Sequence, residues 1–147
     1  VSDKWEGRFM ALAELVSSWS KDPSTRVGAV IADRFNRVVS LGYNGPPRGV
    51  EDDPGICRDK KLLRTIHAEQ NAILFAARPL QGATIYVTRH PCARCAAFIA
   101  QSGLYRVVYR ENRDFEERWA DDLKEARAIL REAWGDQVMT RLIEVPA

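Results

Sequence analysis

Cysteine is scarce in this chain: Cys57, Cys92 and Cys95 are the three among 147 residues. An odd count, with two of them at Cys-x-x-Cys spacing, excludes a disulfide framework and points to metal chemistry in a reducing compartment. Long apolar runs are missing as well, and none approaches the roughly 18 residues needed to span a bilayer. The segment Val1-Ser2-Asp3-Lys4-Trp5-Glu6 lacks the basic and then apolar layout of a secretory leader, so the expectation is a soluble, cytoplasmic protein. Charge of one sign is absent too. Lys and Arg number 22 against 20 Asp and Glu, a net charge of +2 with both signs interspersed, which speaks against the basic stripe of a nucleic-acid binder. What remains is an ordinary composition, 46% hydrophobic and 29% charged, in a chain of the length of one domain with a real core.

Apolar spacing predicts an amphipathic helix from Trp5 to Ser20 on Phe9, Leu12, Ala13, Val16 and Trp19, ended by Lys21-Asp22-Pro23. Val27 to Ala32 reads as a buried strand, Asp33 to Asn36 as a turn and Arg37 to Tyr43 as its hairpin partner. Asn44 to Asp59 holds three of the seven prolines and three of the nine glycines and reads as a long loop. A helix from about His67 to Ala77, a strand from Ala83 to Thr88, a helix from Cys92 to Gln101 stopped at Gly103, and a strand from Leu104 to Tyr109 follow. Asn112 to Trp134 reads as one charged helix with a stripe of Phe115, Trp119, Leu123, Ala126 and Leu130, and Val138 to Val145 as a last strand. The order αββαβαβαβ predicts a three-layer α/β/α domain, a mixed five-stranded sheet with helices on both faces. Trp5, Trp19, Trp119 and Trp134 are expected in core or interface.

Chemistry concentrates in His67-Ala68-Glu69 and Pro91-Cys92-Ala93-Arg94-Cys95. One His and two Cys make three zinc ligands and leave one tetrahedral position for water. Cys92 and Cys95 lie three apart at a helix start, where the partial positive charge favours the thiolates that bind metal. Glu69 is placed to move protons to and from that water without ligating the metal itself. A structural zinc site is the alternative and would draw a fourth ligand from Cys57 or His90. It has no use for Glu69, and Cys57 reads instead as a free loop thiol and His90 as a loop or rim residue rather than a ligand.

His-x-Glu followed by Pro-Cys-x-x-Cys is similar to the signature of zinc nucleobase deaminases. Over residues 18–110 the chain resembles the deoxycytidylate (dCMP) deaminases of the cytidine deaminase superfamily. The resemblance is carried by Ser20-Lys21-Asp22-Pro23-Ser24-Thr25-Arg26-Val27-Gly28-Ala29-Val30-Ile31, Gly42-Tyr43-Asn44-Gly45-Pro46-Pro47, His67-Ala68-Glu69-Gln70-Asn71-Ala72-Ile73 and Thr88-Arg89-His90-Pro91-Cys92-Ala93-Arg94-Cys95-Ala96. It implies one zinc-dependent deaminase domain over residues 1–147, a cytidine-deaminase-like fold, and hydrolysis of dCMP to dUMP and ammonia in the supply of dTMP. Zinc would be held by His67, Cys92 and Cys95, water would attack C4, and Glu69 would be the catalytic proton shuttle.

Candidate substrate contacts are Asn44, Ser24, Thr25, Arg26 and Ala68. Asn44 offers a donor and an acceptor to a sugar hydroxyl or base edge, and Gly42 and Gly45 would admit a ligand close to backbone; a plain Asn-Gly turn is the alternative. Ser24, Thr25 and Arg26 could converge on a phosphate, or form an exposed loop with a capping hydroxyl; Arg110 and Arg113 are a second choice. The resemblance also implies a homohexamer regulated by dCTP and by dTTP with Mg²⁺, for which Arg58, Lys60, Lys61 and Arg64 are the candidate effector residues, a solvated basic face being the alternative. Rival readings are a tRNA adenosine deaminase, which would need a basic and aromatic groove, a free-base or pterin-pathway deaminase, which would have no use for a phosphate loop, and a non-catalytic zinc module binding a nucleotide or partner.

Overall fold

The computed structural model describes residues 4–147; Val1, Ser2 and Asp3, part of the segment read for a leader, lie outside the described residues. The elements in chain order are α1 (Lys4–Ser17), β1 (Gly28–Ala32), β2 (Val38–Tyr43), α2 (Arg58–Arg64), α3 (Ala68–Leu74), β3 (Thr84–Val87), α4 (Ala93–Ser102), β4 (Arg106–Arg110), α5 (Arg113–Arg118), α6 (Ala120–Trp134), a 3₁₀ turn (Gly135–Gln137), α7 (Val138–Arg141) and β5 (Leu142–Val145). The five strands form one mixed sheet in the order β2-β1-β3-β4-β5. β1 runs antiparallel to both β2 and β3, whereas β3, β4 and β5 run parallel.

Every residue of β1 is buried, as an apolar run sandwiched by helices on both faces must be. Alternation sends Ala29 and Ile31 into one core and Val30 and Ala32 into the other; Ile85 and Val87 oppose Tyr86, and Val107 and Tyr109 oppose Val108, in the same way. The first core also takes in Ala68 and Ala72 of α3, Ala96 and Ile99 of α4, and Ala126 and Leu130 of α6. The second is closed by Phe9, Met10 and Ala13 of α1. The sheet is therefore the middle of three layers, as expected.

Several details differ from the sequence reading. α1 ends at Ser17, so Trp19 lies past the helix and is 50% exposed, while Met10 takes the core position. Trp119 is also exposed rather than core. The long loop is shorter than expected because Arg58–Arg64 forms α2, a helix that buries no residue and so leaves no apolar period to read. The charged helix is broken: Trp119, at φ −110°, ends α5 and caps α6. Half of the expected last strand is helical, as α7.

Glycines set two close approaches. A Cβ on Gly28 would lie 2.1 Å from the Ala13 carbonyl oxygen, and one on Gly42 would lie 2.4 Å from that of Ala68. Gly28 thus lets α1 seat on the sheet, and Gly42 lets the first turn of α3 seat on β2.

Candidate metal centre and anion pocket

His67 and Cys92 are the N-cap residues of α3 and α4, in extended conformation, with Glu69 and Cys95 in the turns they open. The first cap is held by Gln70, whose Oε1 accepts the His67 N–H at 2.8 Å. Asn71 ties the same helix to β2 by donating to the Tyr43 carbonyl at 2.8 Å. At the second cap, the Cys95 N–H faces Cys92 Sγ at 3.5 Å, and Asp122 of α6 accepts the Ala93 N–H at 2.7 Å. Sequence reasoning missed Asp122, because only the packing of α6 beside α4 brings it there.

Two helix starts therefore converge. His67 Nδ1 lies 3.3 Å from Cys95 Sγ and 3.5 Å from Cys92 Sγ, and the ligand atoms of the three residues all fall within 4.8 Å of one another. Tetrahedral zinc with bonds of about 2.0–2.3 Å sets its N and S ligands about 3.5–3.8 Å apart, so the donor set and its spacing fit the ion. This is the one group of three His, Cys, Asp or Glu that could hold a metal among the described residues, and neither Cys57 nor His90 belongs to it.

Electrostatics inside the cluster follow from burial and shared protons. A hydrogen bond from the Cys95 thiol, aided by His67, brings Cys92 down to about 4, so it stands as thiolate; Cys95, beside that anion and buried, is pushed up. His67 is raised chiefly by its bond to Cys92, against burial. Glu69 is 4% exposed, and burial, with the neighbouring Cys92 thiolate, pushes its carboxyl up to about 7. A carboxyl poised there can both accept and return a proton at neutral pH.

His90 lies in the loop before α4 and outside the metal group, as expected, but buried and not at a rim. It is 2% exposed, packs its ring 4.5 Å from that of Tyr109, and donates from Nδ1 to the Pro91 carbonyl at 2.8 Å. Burial lowers its pKa, so it is neutral. Cys57 is exposed at the N-cap of α2.

A cavity of about 340 Å³ is lined by Asp22, Pro23, Ser24, Thr25, Arg26, Arg89, Asn112, Phe115 and Arg118. Arg89 belongs to the same connection, between β3 and α4, that carries Cys92. The loop predicted for an anion thus meets two guanidiniums that sequence reasoning missed. Arg110 and Arg113 are occupied elsewhere, paired with Glu14 at 2.8 Å and Glu111 at 2.9 Å.

Asn44, 7% exposed, uses both ends of its amide on this loop: Oδ1 accepts the Val27 N–H at 2.8 Å and Nδ2 donates to the Thr25 carbonyl at 2.9 Å. One lone pair and one N–H remain on it. Ala68 is fully buried, and the close neighbour of Gly42 is the backbone of α3 rather than open space for a ligand. Of the candidate effector residues, Arg58, Lys60 and Arg64 are exposed on α2, whereas Lys61 donates to Asp22 at 3.0 Å.

With the geometry fixed, comparison with known proteins decides the family. The model of the cytidine and deoxycytidylate deaminase zinc-binding region matches residues 3–111. The chain belongs to this family. It is 50% identical over 132 residues to an uncharacterized deaminase in the luxG 3′ region of Aliivibrio fischeri, covering 88% of this chain and 89% of that one. It is 39% identical over 127 residues to the deoxycytidylate deaminase of Mus musculus, covering 80% and 71%. Among solved structures, the dCMP deaminase of cyanophage S-TIM5 in complex with dCMP and dUMP shares the fold, with a TM-score of 0.75 at 24% identity over 100% of this chain and 99% of that one. For this deaminase, the mixed sheet and its flanking helices are those of the family.

Proposed function

We propose that this deaminase hydrolyses dCMP to dUMP and ammonia, with residues 1–147 acting as a single domain. The observation that carries the reading is a cavity lined by Arg26, Arg89 and Arg118, tied to the His67–Cys92–Cys95 cluster by the connection that carries both Arg89 and Cys92. A free-base or nucleoside deaminase has no use for three guanidiniums around one cavity; a phosphate monoester is matched by them. Relatives named deoxycytidylate deaminase, the mouse enzyme among them, support the same substrate.

His67, Cys92 and Cys95 would hold zinc. When bound, zinc supplies a water molecule acidic enough to act as nucleophile near neutral pH. Glu69 accepts the proton of the water that attacks C4 and passes it to ring nitrogen N3, then moves a second proton to the leaving amine. Burial raises the Glu69 carboxyl, which favours its taking up the proton of the water. Arg26, Arg89 and Arg118 neutralise the phosphate, and Ser24 and Thr25 offer it hydroxyls. No described helix is long and apolar enough to cross a membrane. The thiolate pair keeps its ligand form in a reducing compartment, which supports a cytoplasmic setting. A triphosphate effector is supported by the exposed Arg58, Lys60 and Arg64 of α2.

The test is ammonia release with dCMP, deoxycytidine, CMP, dCTP and a tRNA anticodon stem-loop in parallel. The expected result is kcat/KM for dCMP at least tenfold above that for deoxycytidine. Turnover of the RNA alone would overturn the reading.

A further inference from the structure

The anion cavity contains one residue of the wrong sign. Asp22 lines it together with Arg26, Arg89 and Arg118, and an uncompensated carboxylate there would compete with a phosphate for guanidiniums and repel the dianion. Its Oδ1 is nonetheless the organising atom of the loop. It accepts the Ser24 N–H at 2.8 Å, the Thr25 N–H at 3.0 Å and the Ser24 hydroxyl at 3.0 Å, while the Asp22 carbonyl accepts Arg26 Nε at 3.3 Å. The side-chain oxygen cannot be dispensed with, because the bonds it accepts fold the loop that presents Ser24, Thr25 and Arg26.

Lys61 resolves the conflict. Its Nζ reaches from α2, 39 residues along the chain, to lie 3.0 Å from Asp22 Oδ1 and 3.4 Å from Ser24 Oγ. Lys61 does not line the cavity, so it reaches Asp22 without being one of the groups that face a ligand there. The pair is sheltered, with side-chain exposures of 28% for Lys61 and 10% for Asp22.

The geometry points to Lys61 as a positioning residue for the phosphate monoester: by neutralising Asp22 from outside the cavity, it fixes the Asp22–Arg26 loop and leaves the three guanidiniums to the substrate. This rests on the monophosphate reading above. It also separates Lys61 from its neighbours on α2, Arg58, Lys60 and Arg64, whose side chains stay exposed to solvent. Lys61 need not touch the substrate; it acts through Asp22.

The experiment is steady-state kinetics on dCMP and deoxycytidine for the wild type, K61M, K61R, D22N and the D22N/K61M double variant, with zinc content measured for each. In K61M the KM for dCMP rises about five- to tenfold with kcat within about twofold, and the ratio of kcat/KM for dCMP over deoxycytidine falls by the same factor. K61R retains most of that ratio. In the D22N background, where the side-chain oxygen still accepts the loop N–H groups but carries no charge, adding K61M changes the ratio by less than about twofold. Equal loss on both substrates, or a ratio unchanged in K61M, overturns the role of Lys61 while leaving the monophosphate reading intact. A wild-type enzyme that fails to prefer dCMP over deoxycytidine overturns both.

Discussion

The metal corner and the anion cavity share the connection between β3 and α4 yet are built in opposite ways. The corner uses two short motifs, each fixed by a helix cap: His67 with Glu69, and Cys92 with Cys95. Its candidate ligand atoms are within 4.8 Å of one another because two helix starts are packed on one face of the sheet. The cavity instead gathers Arg26, Arg89 and Arg118 from a loop before β1, the connection after β3, and the end of α5. Glu69 and Cys95 are buried and His67 and Cys92 half-buried, whereas Arg26 and Arg118 of the cavity are exposed, so desolvation acts on the first region and summed charge on the second. Chemistry that needs a perturbed carboxyl is placed where burial can perturb it, and recognition is left to groups that need no perturbation.

The sharpest break of this contrast is Glu69→Gln. Removing the proton carrier while keeping its shape lowers kcat by about 10³-fold or more on dCMP and deoxycytidine alike, with zinc content unchanged by elemental analysis. Loss of zinc together with activity would place Glu69 among the residues that hold the site together, not among those that do its chemistry.

Gly42→Ala attacks the corner from a distance. The added Cβ meets the Ala68 carbonyl at 2.4 Å and the Ala72 N–H at 2.6 Å, both backbone atoms of α3 that cannot rotate away. Overpacking of this kind costs about 1–3 kcal/mol. Urea denaturation should show that loss, and because the strained helix carries His67 and Glu69, zinc should be released at lower chelator concentration than from the wild type. The anion cavity, built on other elements, should keep its preference for dCMP in whatever activity survives.

Arg89→Ala and Arg118→Ala make the converse cut. Each should reduce kcat/KM for dCMP about tenfold, mostly through KM, and leave that for deoxycytidine within about twofold. Equal effects on both substrates would mean that the two arginines shape the metal corner and not a phosphate site.

The two regions also differed in how far they could be read from sequence. The corner was legible because the three candidate ligands and the proposed proton carrier lie within two contiguous stretches whose spacing follows from the first turn of a helix. Ser24, Thr25 and Arg26 were legible as a loop of anion-binding types, but Arg89 and Arg118 carry no local signal and meet only through the sheet order β2-β1-β3-β4-β5. The buried strands were read from continuous apolar runs. α2 was not, because a helix that buries nothing shows no period, and the break at Trp119 was hidden under an apolar stripe that continues through it. His90 was misplaced at a rim because neutral burial against Tyr109 depends on β4, not on its neighbours in sequence.

The smallest expected effect is on acid stability, and it belongs to the cavity. Burial acts to raise the Asp22 carboxyl, but the Thr25 and Ser24 N–H groups and Lys61 outweigh it, so its pKa in the folded state lies below its ordinary 3.8. A carboxyl depressed on folding contributes stability that is fully present above its unfolded pKa and is lost as pH falls through the folded value. Between pH 5 and pH 7 Asp22 is ionised in both states and adds no slope, whereas below about pH 4 the unfolded chain takes up the proton first and stability drops. Asp22→Asn should therefore flatten the acid limb of a urea-midpoint profile below about pH 4 and leave its slope between pH 5 and pH 7 unchanged. An acid limb as steep as that of the wild type would show that the charge on Asp22 is not what holds the loop, and that its bonds to Ser24 and Thr25 serve equally well from a neutral acceptor.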